Sequence, residues 1–208
     1  AFPEVILSKE DVEIVSAKRW TTDLTPEMFK KVTHLDEYPE YLKKDLDGDV
    51  LKVYANGEIN YKLKGIHAKA SVIWNYVAPE GAADTHYSIM RGTKCNLEIV
   101  QGEKEGYKPK LYIEPVGDGD VKEFTGSLYN AVDGLTSKYP GIALEKLGDK
   151  KWILNIPDKY KVGHEAHFGQ VTEKYLGFLV DGKLPEWEVP NMIVKYYTTT
   201  EGMKAAMK

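Results

Sequence analysis

Cysteine is nearly absent: the single residue, Cys95, excludes an intramolecular disulfide and identifies no redox compartment. No apolar run approaches the roughly 18 residues that a membrane-spanning helix needs, so no membrane partner is expected. Positive charge has no excess, with 28 Lys and Arg against 32 Asp and Glu, interspersed, and a net charge of −4. Neutralising nucleic-acid phosphates requires a basic stripe, so no nucleic-acid partner is expected either. Nucleotide and hydrolase motifs are also missing. Gly117 and Gly119 begin a G-x-G-x-x-G pattern, but its sixth position is Lys122. There is no P-loop, no G-x-S-x-G and no zinc signature, and Cys95 falls in a strand pattern without catalytic context. Ala1-Phe2-Pro3-Glu4 carries no initiator Met, basic n-region or apolar h-region. The expectation is a chain that begins inside a longer one, so its compartment, cytoplasmic or periplasmic, cannot be read.

What is present suits one domain of 208 residues, 42% of them hydrophobic. The 14 tyrosines and 4 tryptophans outnumber the 5 phenylalanines, a bias that fits half-buried sheet faces, interfaces and sugar sites. Val12–Trp20 reads as a strand. Thr25-Pro26-Glu27 opens a short helix, with Thr as N-cap, Pro at the first helical position and an acid in the first turn. Residues 51–55 and 58–63 flank Asn56-Gly57, which predicts a hairpin closed by a two-residue type I′ turn. Further strands are expected at 66–76, 85–91, 94–100 and 110–114, joined by loops too short for parallel crossovers. Helical spacing marks 121–135 and 164–180, with a last helix from about Pro190; 142–146 and 152–156 read as another hairpin. The fold class is α+β, an open, mainly antiparallel β-sheet with helices packed on one face. Strands with apolar residues at both parities imply that a partner subunit or further domain covers the other face.

His86 and Arg91 share one predicted strand but have opposite parity. His could exchange a proton near neutrality, and Arg could hold a carboxylate or phosphate in bidentate fashion. A satisfied strand His and an edge Arg explain the same residues about equally well. Trp74 offers a stacking surface for a sugar, although tryptophans in such a chain more often fill a core. His164 and His167 stand at i, i+3, whereas zinc peptidases place histidines at i, i+4, so they are weaker candidates for substrate contact. Asp45–Asp49 misses the calcium-loop spacing. No metal is expected.

Several stretches together resemble one family: Arg19–Phe29, Tyr54–Tyr61, Ala78–Ser88 running on through Arg91–Lys94, His164–Phe168 and Asn191–Tyr197. They are similar to the carboxy-terminal domain of an oxidoreductase branch of the glucose–fructose oxidoreductase/inositol dehydrogenase (Gfo/Idh/MocA) family. The resemblance implies a parent enzyme whose amino-terminal Rossmann domain, absent from this chain, binds NAD or NADP. It implies that residues 1–208 form the substrate-facing and oligomer-forming domain, inactive alone, with a small sugar-like substrate and a homo-oligomer assembled through the sheet. The family's catalytic Glu-Lys-Pro and D-x-x-x-H patterns are missing. Tyr107-Lys108-Pro109 lacks the Glu, and none of the five histidines has an Asp four residues earlier. No catalytic or cofactor-binding residue is therefore expected here; the substrate-wall candidates are His86, Arg91 and Trp74, then His164 and His167. Two other readings stay open, a free-standing carbohydrate-binding or dimerisation module and a hydrolase built on His86.

Overall fold

The computed structural model describes residues 5–208; Ala1–Glu4, where a leader pattern is lacking, lie outside the described residues. In chain order the elements are β1 (Val12–Leu24), α1 (Pro26–Thr33), β2 (Leu46–Asp47), β3 (Val50–Leu63) and β4 (Ile66–Val72). They continue with β5 (His86–Arg91), β6 (Cys95–Gln101), β7 (Lys110–Pro115), α2 (Val121–Thr136), β8 (Ala143–Gly148) and β9 (Lys151–Asn155). The helices α3 (His164–Asp181) and α4 (Glu188–Ala206) complete the chain. The α+β class with open antiparallel sheets is as the sequence implies, but the strands form two sheets rather than one. The chain divides into two compact units, the first holding residues up to Val77 with Leu176–Lys208, the second Ala78–Tyr175.

In the first unit β3 is the central strand, paired antiparallel with β1 on one side and with β2 and β4 on the other. The expected hairpin at Asn56-Gly57 does not form: β3 runs unbroken through both residues. The tight turn falls instead at Lys64-Gly65, where φ is +50° and +77° and Leu63 pairs with Ile66. Two successive positive φ values are what a two-residue type I′ turn requires. Lys64 accepts that conformation with its N–H bonded to Asp11 O at 2.9 Å and its Nζ 3.1 Å from Asp11 Oδ1.

Asn56 is buried within the sheet because its amide replaces missing ladder bonds. Its Oδ1 accepts the Trp74 N–H at 2.7 Å, and its Nδ2 donates to Thr22 Oγ1 at 2.9 Å and Trp20 O at 3.3 Å. Thr22 Oγ1 donates onward to Trp74 O at 2.6 Å. This closed ring consumes both backbone groups of Trp74, which explains why β4 stops at Val72 and not at Tyr76. It also marks a bulge. Trp20 pairs with Asn56 while Thr22 pairs with Val53, so Tyr54 and Ala55 together face Thr21.

The first unit's core gathers Leu24, Phe29 and Leu51, with Tyr38, Trp74 and Tyr76 packed on it. Thr25 caps α1 as the sequence predicts, accepting the Met28 N–H at 3.3 Å. α4 lies along β1 and reaches Ile59 of β3, an approach that Gly202 makes possible. A Cβ there would sit 2.5 Å from Ile59 Cδ1 and 2.9 Å from Cγ1.

The second unit holds a five-stranded meander in the order β5-β6-β7-β9-β8, all pairs antiparallel. α2 starts at Asp120, whose Oδ1 accepts the Lys122 N–H at 2.7 Å. Its Phe124 ring packs 5.4 Å from that of Trp152, which is fully buried on β9. Part of one face of the sheet is thereby covered, while Met90 on β5 and Ile99 on β6 stay exposed on the same side.

The chain nonetheless leaves much apolar surface in water. On α3, Phe168, Val171, Tyr175 and Leu179 are each more than half exposed.

Candidate functional site on the open face of the second sheet

Side chains of directly paired residues in adjacent strands leave a sheet on the same side. In the second unit the rows Met90–Leu97–Ile113–Trp152 and Ser88–Ile99–Leu111–Leu154 therefore share the face under α2. The opposite face carries Arg91–Asn96–Glu114, then Ile89–Glu98–Tyr112–Ile153, with Lys151 two residues before Ile153. One face is apolar; the other is mainly polar and aromatic, with Ile89 half-buried and Ile153 buried among its rows.

On the polar face Lys151 is the hub. Its Nζ lies 2.7 Å from Glu114 Oε1 and 4.7 Å from the Tyr112 ring centroid. The hydrogen bond to Glu114, aided by the charges of Glu114 and Glu98, holds the ammonium above its ordinary pKa against some desolvation. The Tyr112 hydroxyl donates to Glu105 Oε1 at 3.2 Å. Burial first, and then that carboxylate, push the phenol upward as well. Both groups thus keep their protons at neutral pH, Lys151 as a cation and Tyr112 as a donor. Glu98 lies opposite Tyr112 in register, on the side away from Lys151, and its side chain has no hydrogen-bond partner among the described residues. Arg91 is exposed at the edge strand and makes no ion pair among the described residues. Such a surface offers carboxylate acceptors, ammonium and guanidinium donors and an aromatic ring within one set of adjoining rows. Chemically it suits a polyhydroxylated ligand, whose hydroxyls need paired donors and acceptors and whose C–H faces stack on tyrosine.

The residues singled out from the sequence do not converge. Arg91 belongs to the polar face. His86 opens the same strand but lies on the opposite side, where its Nε2 is 3.2 Å from Ser88 Oγ. No carboxylate bonds that imidazole among the described residues, so the hydrolase reading loses its acid. Trp74 is in the first unit, half-buried on the core and edge-on to Tyr76 at 6.2 Å. His164 and His167 sit exposed in the first turn of α3. The His164 ring stands edge-on to Phe168 at 4.8 Å, and the His167 N–H bonds Gly163 O at 3.0 Å. Glu98, Tyr112, Glu114 and Lys151 were not anticipated; only β7 carries a local signal, Lys110, Tyr112 and Glu114 alternating with Leu111 and Ile113.

Every strand pair among the described residues is antiparallel. A Rossmann-type dinucleotide cradle uses a parallel βαβ unit with a helix N-terminus at the phosphates, and the described residues contain none. Among the described residues no three His, Cys, Asp or Glu side chains group to hold a metal ion, and no helix is long and apolar enough to cross a membrane.

With two open antiparallel sheets, one presenting a polar and aromatic face, the chain is of the α+β class. The chain belongs to the family described as "Putative oxidoreductase C terminal domain", whose model matches residues 1–207. It is similar to the crystal structure of a protein from Parabacteroides merdae described as a putative oxidoreductase, with 52% identity and a TM-score of 0.96. The likeness covers 99% of this chain and 47% of that one, so the chain spans about half the length of its structural relative. A search of curated proteins finds no match.

Proposed function

We propose that this chain is the substrate-binding and assembly domain of an NAD(P)-dependent oxidoreductase of the Gfo/Idh/MocA type acting on a sugar or polyol. The observation that carries the reading is the polar face built from Arg91, Glu98, Tyr112, Glu114 and Lys151 beside a partly covered apolar face. The family description and the twofold length of the structural relative support a catalytic half outside these residues. In this reading the cofactor supplies the hydride chemistry and this domain holds the reacting carbon in place. Tyr112 stacks on the ring or carbon chain, Glu98 and Glu114 accept from hydroxyls, and Arg91 and Lys151 donate. The exposed stripe of α3 and the open sheet surface provide apolar and polar area for a Rossmann domain and for a second copy.

An NMR titration of the chain with myo-inositol and with glucose tests the assignment. The expected result is saturable shifts centred on Arg91, Glu98 and Tyr112, weakened about three- to tenfold in Tyr112→Ala. Shifts confined to the His86 face, or none for either ligand, would contradict it.

A further inference from the structure

A groove in the first unit, formed where α4 crosses the sheet, has a volume of about 350 Å³. That is within the range of small-molecule sites. Its construction follows from the bulge. Alternation places Arg19, Gly57 and Val72 in one row and Ala17, Ile59 and Ala70 in the next, all on the α4 side. The extra residue at Tyr54-Ala55 reverses the alternation, so Tyr54 emerges on that same side. Its ring centroid lies 4.2 Å from the Arg19 guanidinium carbon. Gly57 contributes no side chain to the floor, where an added Cβ would find only Lys18 O at 3.8 Å. Ile59, Val72, Met203 and Ala206 supply apolar walls.

The charge pattern is asymmetric. Lys18 and Glu58 also border the groove, but their row alternates to the far side of the sheet. There Glu58 is held by Lys69 at 2.7 Å and Lys18 at 3.8 Å. The α4 residues bordering the groove are Thr199, Gly202, Met203 and Ala206, none of them charged. Arg19 is thus the one cation on the groove side, and it has no carboxylate partner among the described residues. Stacking on Tyr54 fixes the guanidinium plane and leaves its N–H edge free, the arrangement suited to bidentate capture of a carboxylate.

We infer that this groove binds a small monocarboxylate with a branched aliphatic body, its carboxylate on Arg19 and its hydrocarbon against Ile59, Val72 and Met203. The site is independent of the polar sheet face and does not rest on the proposed function. The test is an NMR titration of the 208-residue chain with isovalerate, following the Arg19 Nε–H and the Met203 methyl signals. Saturable shifts at both are expected, with affinity reduced about tenfold in Arg19→Met. The uncharged isostere isovaleramide should bind no better to the wild type than isovalerate does to Arg19→Met. Tyr54→Leu keeps the charge but removes the stack, and it should weaken isovalerate severalfold with the fold intact by circular dichroism. Absence of shifts at about 10 mM isovalerate, a free energy too small for a built site, overturns the inference. So does equal binding of acid and amide.

Discussion

The carboxamide oxygen of Asn56 accepts the backbone N–H of Trp74 at 2.7 Å, joining the middle of one strand to the residue just beyond the end of its neighbour. Through Thr22 the same two residues close a ring of hydrogen bonds inside the sheet. Asn56→Ala leaves the part-buried Trp74 N–H without its acceptor and removes the bonds donated to Thr22 Oγ1 and Trp20 O, while the Thr22 hydroxyl keeps its bond to Trp74 O. The expected loss is about 1–3 kcal/mol in urea unfolding, the cost of one unsatisfied polar group. Asn56→Asp keeps the acceptor but loses the two donated bonds and buries a carboxylate beside Trp20 O, so above about pH 6 it should be no more stable than the alanine variant.

The position of the tight turn gives a paired prediction. Gly65 has φ of +77°, whereas Gly57 sits in an ordinary strand with only Lys18 O at 3.8 Å from an added Cβ. Gly65→Ala should destabilise by about 1–2 kcal/mol, the cost of the left-handed region for a residue with a Cβ. Gly57→Ala should change stability by less than about 0.5 kcal/mol. Equal losses at the two sites in parallel denaturant titrations would return the turn to Asn56-Gly57.

Gly202 and Ile59 form a packing pair. Alanine at Gly202 improves helix propensity by up to about 1 kcal/mol but overpacks Ile59, which costs about 1–3 kcal/mol. Gly202→Ala should therefore lower the thermal midpoint. Adding Ile59→Ala should produce a double variant more stable than the sum of the two single losses predicts. Strict additivity would place the helix farther from the sheet than described.

Glu58 sets an acid limit. Hydrogen bonds from Lys69 and then Asn60 hold its carboxyl below the ordinary value of 4.5. A group whose pKa is depressed on folding contributes stability that is present above the unfolded pKa and is lost as pH falls through the folded one. Stability should drop below about pH 4.5, and the drop should be shallower in Glu58→Gln across about pH 5 to 3. Superimposable acid profiles would remove Glu58 from the account.

Much of the fold was legible because its signals are local. Thr25-Pro26-Glu27 capped a helix as read, and the period of Phe124, Leu128 and Val132 marked α2. Asn56-Gly57 misled because a dipeptide that favours a turn can also lie in a continuous strand, as it does here beside the Tyr54-Ala55 bulge. What decided between them was a long-range partner, Trp74, 18 residues away. The early end of β4 follows from that same capture of Trp74, which no local pattern encodes. At the site, opposite strand parity separated His86 from Arg91 correctly. The polar face escaped notice because it is assembled by register across three strands. Glu98, Tyr112 and Lys151 are unremarkable in sequence and become a cluster only once β6, β7 and β9 are aligned.

The central claim is that these residues shape and assemble a site while nucleotide binding lies outside them. Isothermal titration of NAD and NADP, oxidised and reduced, into the 208-residue chain tests it most directly. No saturable heat is predicted for any of the four nucleotides. Stoichiometric binding of one of them with micromolar affinity would contradict the claim and place the cofactor within this chain.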